Sequence, residues 1–158
     1  MVMKNTLIIG YGNSLAGDDA LGFYVVKELA GTIMPEEVTV KYIHQLMPEH
    51  SQEISEYQRV IFIDAEENAE PGKLICRRVN KDDLRDTSTT AHDFTLDSIL
   101  LLAEKLYGNI PEVHLITVTG NNFNVGEELS LPVKKMIPNV INMIFDTINT
   151  EKETAAYA

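Results

Sequence analysis

The sequence predicts an α/β domain, a three-layer sandwich in which a mostly parallel sheet of about five strands carries helices on both faces. Two short runs, at residues 7–9 and 60–63, are continuously apolar rather than alternating. Such runs are typical of parallel strands that are covered on both faces. Amphipathic segments with helical spacing separate these and the other predicted strands, which is the order expected of strand–helix–strand units.

The first half of the chain contains three predicted strands. The first strand leads into a glycine-rich turn and a helix, in which Leu21, Val25 and Leu29 share one apolar face before Gly31 ends it. An alternating, β-branched run at 38–43 predicts the second strand. A short helix is expected over 48–57, because Pro48 is acceptable in a first helical turn. Residues 59–65 form the clearest strand, and their apolar character predicts a central position.

The second half repeats the alternation with one exception. Residues 73–79 are short and charged, which predicts an edge strand. A polar loop at 80–91 leads to a helix that starts near Thr95, and residues 111–120 predict the last strand. Ser130 is a good N-cap for the final helix, which Pro138 should kink. We expect one domain over residues 1–150 and a C-terminal tail over 151–158.

The composition of the chain indicates which kinds of binding partner are favoured. The chain has 158 residues, a formal net charge of −11 and 44% hydrophobic residues. Its acidity argues against nucleic acid or an anionic membrane and favours cations or a basic peptide. Cys76 is the only cysteine, so neither an intramolecular disulfide nor a thiolate cluster can form. We find no signal peptide or membrane span in the sequence and expect a cytoplasmic protein.

The segment that follows the first strand carries the strongest functional signal. From residue 10 to residue 22 it reads Gly-Tyr-Gly-Asn-Ser-Leu-Ala-Gly-Asp-Asp-Ala-Leu-Gly. One interpretation is only a tight turn and a helix cap. The glycine spacing does not fit a dinucleotide site, and no Gly-Lys-Ser/Thr follows as a P-loop would require. The adjacent carboxylates of Asp18 and Asp19 suit a cation better than a phosphate.

This segment resembles the opening motif of the hydrogenase maturation endopeptidases, with the pattern G-x-G-N-x-L-x-x-D-[DE]-x-x-G. The resemblance implies a phosphorylase/hydrolase-like fold. It also implies an endopeptidase that removes the C-terminal extension of a nickel-iron hydrogenase large-subunit precursor after nickel insertion. Nickel is the implied metal, and it could be supplied by the substrate. Other divalent ions could substitute for it.

Three residues are candidates for both catalysis and metal binding: Asp19, Asp64 and His92. Asp64 ends the clearest strand, and the resembled family has a metal-binding aspartate at that position. His92 lies in Thr90-Ala91-His92, which matches a Thr/Ser-x-His segment of the family, and it precedes a helix N-terminus that favours neutral imidazole. Two carboxylates and an imidazole suit nickel, zinc or a similar divalent ion. Asp18 is expected to cap the helix or to orient Asp19.

The remaining histidines and the cysteine are weaker candidates for functional residues. His44 and His50 are expected to be loop residues that face solvent, and His114 is expected to be structural. Cys76 lies in the middle of a predicted strand, and the sequence has no nucleophile elbow, so covalent catalysis is disfavoured.

The mechanism and two other function classes remain open. A bound metal could polarise the scissile carbonyl and activate water, or the three residues could recognise nickel that is already in the precursor. The chain could instead be a metal-sensing or chaperone-like binding module without peptidase activity. A third class is a small-molecule hydrolase or nucleotide binder that uses the glycine turn.

Overall fold

In the computed structural model the chain is described over residues 4–86 and 94–157, with side chains described from 5 to 86 and from 94 to 150. Candidate residue His92 therefore lies outside the described residues. Within them, none of the helices is both long and apolar enough to cross a membrane. The described part has five strands: β1 (Lys4–Tyr11), β2 (Val38–Ile43), β3 (Tyr57–Glu67), β4 (Leu74–Val79) and β5 (Glu112–Gly120).

The strands form one sheet in the order β2-β1-β3-β5-β4. All neighbouring pairs are parallel except β4 and β5, which are antiparallel. The prediction of a mostly parallel sheet of about five strands with β3 at its centre and β4 at an edge is confirmed. The carboxyl ends of β1, β3 and β5 consequently meet at one edge of the sheet.

Helices cover both faces, as the sequence predicts. The described helices are α1 (Leu21–Ala30), α2 (His50–Ser55), α3 (Leu96–Tyr107), α4 (Leu131–Lys134) and α5 (Ile137–Tyr157). One apolar core, which includes Phe62 and Leu100, lies between the sheet and α2 with α3. The other, which includes Ile61 and Ile144, lies between the sheet and α1 with α5. Alternate residues of β3 thus point into different cores, which explains its continuous apolar run.

The glycines of the first motif bring α1 directly onto β1. A Cβ built on Gly10 would lie 2.3 Å from the carbonyl oxygen of Gly22, and one built on Gly22 would lie 2.6 Å from the amide nitrogen of Tyr11. Two glycines therefore face each other across the strand–helix contact. This close approach places the start of α1 against the carboxyl end of β1, where the acidic pair lies.

The C-terminal helical region differs from the prediction in its details. The expected kinked helix is two helices, because α4 ends at Lys134 and α5 begins at Ile137, next to Pro138. A proline lacks the amide hydrogen needed inside a helix and is tolerated in the first turn, so a break is favoured over a kink. The backbone of α5 is helical as far as Tyr157, and the division into a domain over 1–150 and a tail over 151–158 stays a prediction.

The predicted start of α3 is confirmed by its cap. The Thr95 hydroxyl accepts a hydrogen bond from the amide of Ser98 at 3.1 Å. We expect Thr95→Ala to lower the free energy of unfolding by about 1 kcal/mol, because one free amide at the helix start loses its acceptor. Urea unfolding of the two proteins tests this. Thr32→Ala is the control, because Thr32 is exposed and its hydroxyl donates a hydrogen bond to the carbonyl of Glu28 rather than capping a helix start. Equal midpoints for the wild type and Thr95→Ala would contradict the assigned cap.

Candidate active site

Two of the three predicted site residues lie within the described chain, and the fold brings them together. Gly10 pairs with Ile63, so the next residues along the two strands, Tyr11 and Asp64, lie side by side. Tyr11 ends β1, and Asp64 lies three residues before the end of β3. Asp19 lies in the short 3-10 turn Gly17–Ala20 that follows β1. The negative charge of Asp19 adds to the increase in the pKa of both Tyr11 and Asp64, so the three side chains are close enough to interact electrostatically.

The local fold holds the Asp19 carboxylate over the glycine turn. Its Oδ2 accepts a hydrogen bond from the amide of Asn13 at 2.8 Å. A Cβ built on Gly12, which has a φ of +134°, would lie 2.2 Å from the Asp19 carbonyl oxygen and 3.0 Å from Oδ1. Tyr42 donates from its hydroxyl to the carbonyl of Gly12 at 2.6 Å and so fixes the turn from β2. Gly12 is therefore required both for its backbone conformation and for the space that Asp19 occupies.

Asp64 is a carboxyl group with an unusual protonation equilibrium. Burial raises its pKa to about 7, and the negative charges of Asp19 and Glu66 add to the increase. Hydrogen bonds from Tyr11 and from the amide of Ala65 oppose that increase. Ionising Asp64 is costly because the group is buried and near a second carboxylate. A bound cation would lower this cost, and carboxylate oxygens are ligands that divalent metals accept.

Tyr11 is a site residue that was not predicted from the sequence. Burial raises its pKa well above the usual value for tyrosine, and the neighbouring Asp64 adds to the shift. Its ring packs edge-on against Phe62, with centroids 6.1 Å apart. The motif fixes no residue type between Gly10 and Gly12, so no sequence signal marked this position. A neutral phenol here can orient Asp64 by donating a hydrogen bond to it.

The third candidate, His92, stays a prediction. The described chain resumes at Phe94, which packs against the core that contains Phe62. Phe62 and Asp64 are two residues apart on β3, so their side chains project from the same face of the sheet. Among the side chains that the structure describes, those of residues 5–86 and 94–150, no group of three His, Cys, Asp or Glu residues could hold a metal ion.

The remaining histidines and the cysteine occupy other places. His44 is exposed, whereas Nδ1 of His50 accepts a hydrogen bond from the amide of Met47 at 2.9 Å and so helps to close the turn before α2. His114 lies near the start of β5, with its Nε2 2.9 Å from Glu112 Oε1. Cys76 is exposed on β4. The prediction of a structural partner for His114 agrees with this contact, and His50 has a defined partner where solvent was expected.

Asp18 does not perform the capping role that the sequence suggests. In the part of the chain that the structure describes, no side chain caps the turn Gly17–Ala20 or α1 through a hydrogen bond. The Asp18 side chain is completely buried, and its carboxylate accepts hydrogen bonds from the loop that follows β5. Ser130, the expected N-cap of α4, instead donates from its hydroxyl to Asp18 at 3.0 Å. These partners are more than a hundred positions away in the sequence, so local pattern could not reveal them.

Fold and site together define a class: a three-layer α/β protein with two carboxyl groups near the carboxyl edge of a mostly parallel sheet. A family model described as hydrogenase maturation protease matches residues 23–147, which is most of the chain. The protein therefore belongs to the hydrogenase maturation protease family. The match begins just after the glycine-rich motif, so the motif and the family model are independent signals.

Individual proteins agree with this assignment. A candidate hydrogenase maturation protease of Methanocaldococcus jannaschii is 29% identical over 163 residues, which span 94% of this chain and 99% of the relative. The hydrogenase maturating endopeptidase HybD from E. coli has a TM-score of 0.80 at 21% identity, over 93% of each chain. A hydrogenase 2 maturation peptidase from a Thaumarchaeota archaeon has a TM-score of 0.70 at 26% identity, over 92% of this chain and 98% of that one.

Proposed function

We propose that the protein is an endopeptidase that removes the C-terminal extension of a nickel-iron hydrogenase large-subunit precursor after nickel has been inserted. In this proposal Asp19, Asp64 and His92 recognise the nickel ion that the precursor carries. The reaction would take place in the cytoplasm. Membership in the hydrogenase maturation protease family supports the substrate class.

The observation that supports the proposal is that Asp64 lies beside the end of β1, and that Asp19 lies in the turn that follows β1. Burial and the neighbouring carboxylate raise the pKa of Asp64 to about 7. A cation would offset the repulsion between the two carboxylates. Three ligands from this protein would also leave coordination positions for the ligands that an ion already bound to the precursor has. Zinc and other divalent ions fit the same donors, so they would be expected to compete with nickel.

The residues of this chain have separate tasks in the proposed reaction. Asp19 and Asp64 would supply oxygen ligands, and His92 would supply a nitrogen ligand from the segment before α3. Tyr11 would orient Asp64, and the amide of Asn13 would orient Asp19. Nickel held by these groups would supply Lewis acidity to the scissile carbonyl or serve only as the sign that the precursor is mature.

The proposal is tested by incubating the protein with a purified large-subunit precursor, either loaded with nickel or free of it. Mass spectrometry measures the loss of the C-terminal extension. Cleavage of the nickel-loaded precursor alone is the expected result. Stable binding without cleavage would favour the metal-sensing or chaperone-like module. Equal cleavage of both precursors would exclude nickel as the recognition element.

Asp19→Asn is expected to abolish processing while the fold remains intact. Asparagine retains an oxygen that can accept the hydrogen bond from Asn13, but it lacks the charge needed to hold a cation. We expect the cleavage rate to fall by at least about 100-fold, because an essential ligand is lost rather than reoriented. Circular dichroism and single-turnover cleavage measure the two outcomes. Asp83→Asn, at an exposed aspartate in the turn Lys81–Asp83, is the control. Normal processing by Asp19→Asn would remove Asp19 from the site.

A further inference from the structure

One side chain joins the motif to a distant loop. Among the residues that the structure describes, the buried carboxylate of Asp18 accepts four hydrogen bonds, and these come from the loop at 121–130 that follows β5. Its Oδ2 accepts hydrogen bonds from the backbone amides of Asn121 at 3.1 Å and Asn122 at 3.2 Å, and from the Ser130 hydroxyl at 3.0 Å. Its Oδ1 accepts a hydrogen bond from the Ser130 backbone amide at 2.8 Å. Asp18 therefore fastens both the beginning and the end of this loop.

Backbone hydrogen bonds extend the attachment along the middle of the loop. The Asp18 amide donates to the Asn122 carbonyl at 2.7 Å, and the Gly17 amide donates to the Glu127 carbonyl at 3.1 Å. The Gly126 amide donates back to the carbonyl of Leu15 at 2.7 Å. A Cβ on Gly17, which has a φ of +55°, would lie 2.3 Å from the Asn122 carbonyl oxygen. The segments 13–18 and 121–130 thus form one unit, which we call the two-loop wall.

The outer surface of the two-loop wall carries apolar side chains that the fold does not use. Leu15 is 68% exposed and Val125 is 76% exposed. The backbone bond between Gly126 and Leu15 keeps these two residues on neighbouring parts of the wall. The wall also adjoins the candidate site, because Asn13 belongs to it and donates to the Asp19 carboxylate.

We propose that Asp18 is a positioning residue that holds the two-loop wall as the surface on which the precursor chain rests beside Asp19 and Asp64. This inference rests on the proposed function. An endopeptidase must bind the polypeptide on both sides of the bond that it cuts, so a rigid surface next to the reacting groups contacts the substrate. A surface that is already ordered also reduces the entropy lost when the substrate binds.

The inference predicts that loosening the wall weakens substrate binding and leaves the chemical step in place. Asp18→Asn replaces one carboxylate oxygen by an NH2 group, which donates hydrogen bonds and cannot accept them. The N–H and O–H groups of residues 121–130 that now bond to both oxygens of Asp18 can therefore no longer all be accepted. We expect the KM for the nickel-loaded precursor to rise by about tenfold, with kcat within about twofold of the wild type. Hydrogen exchange should accelerate at the amides of Asn121, Asn122 and Ser130. Ser130→Ala removes only one bond and should give a smaller increase in KM.

Substitutions on the outer surface separate this role from a purely structural one. Leu15→Ser and Val125→Ser alter exposed side chains, so the melting temperature should not change while KM rises several-fold. Ile33→Ser is the matched control, because Ile33 is 95% exposed and lies beyond the end of α1, away from the carboxyl edge. These surface variants and Ser130→Ala decide the question if Asp18→Asn does not fold.

The outcomes distinguish this inference from the proposed function. A KM increase in the wall variants that is absent from Ile33→Ser supports the inference. Wild-type KM values in Leu15→Ser, Val125→Ser and Ser130→Ala, or a loss confined to kcat, would overturn it while the proposed function stands. Absence of cleavage by the wild-type protein would reject the proposed function and the inference together.

Discussion

Asp64→Asn is expected to abolish processing and at the same time to stabilise the metal-free protein at pH 8. The two effects have one cause, which is that the folded protein holds Asp64 in a place where ionisation is costly. Burial, with the nearby charges of Asp19 and Glu66, raises the pKa of Asp64 from 3.8 to about 7. Asparagine keeps an oxygen that can accept the hydrogen bond from the amide of Ala65 but carries no charge. It therefore removes both the cost of ionising a buried group and the carboxylate proposed to bind the metal.

The pH dependence follows from the proton balance. Between about pH 4 and pH 7 the folded protein holds a proton on Asp64 that the unfolded chain has released. The free energy of unfolding therefore decreases as the pH rises through this range, and it reaches a constant lower level above pH 7. Below pH 4 the group is protonated in both states and contributes no difference. At pH 8 we expect Asp64→Asn to be more stable than the wild type by on the order of 2 kcal/mol, after allowance for partial solvent access.

Urea unfolding of the metal-free proteins at pH 4 and pH 8 measures this effect. The stability difference between variant and wild type should be small at pH 4 and should develop by pH 8. Glu67→Gln is the control, because Glu67 ends the same strand, is exposed and does not contribute to the shift at Asp64. A stability difference that is equal at the two pH values would show that Asp64 is not the titrating group. Retained processing by Asp64→Asn would exclude it from the site.

Much of the fold could be predicted because it depends on local pattern. The apolar run of β3 predicts a strand buried on both faces, and the polar edge strand β4 reflects the need to avoid further pairing. The position of Asp64 beside the end of β1 could also be predicted, since parallel strands place their carboxyl ends along one edge. Neither prediction needs knowledge of a side-chain contact.

The remaining features depend on contacts between distant parts of the chain. Asp18 looks like a helix cap because it precedes a helix, yet its partners are in the loop after β5. Tyr11 becomes a site residue only because the register places it beside Asp64. The break between α4 and α5 results from the preference of Pro138 for a first turn, which periodicity does not reveal. The contribution of His92 stays a prediction.

The contact between α1 and β1 leads to the second large effect, a severe loss of stability in Gly22→Ala. A Cβ on Gly22 would lie 2.6 Å from the amide nitrogen of Tyr11, 2.9 Å from its carbonyl oxygen and 2.9 Å from the carbonyl carbon of Gly10. All three are backbone atoms of a buried strand and cannot rotate away as a flexible side chain could. The helix would have to move outward, which would disturb the core around Leu21 and Val25.

We expect Gly22→Ala to lower the free energy of unfolding by about 3 kcal/mol, at the upper end of the range for overpacking of a buried contact. Gly31→Ala is the matched control at the other end of α1, because its Cβ would meet only the Glu28 carbonyl oxygen at 3.6 Å. Alanine there should be neutral or slightly stabilising, since it restricts the unfolded chain more than glycine does. Urea unfolding compares the variants, and equal midpoints would contradict the close contact. Since Gly22 also sets where α1 begins, displacement of the helix should move Asp19 away from Asp64, and processing should fall even where Gly22→Ala remains folded.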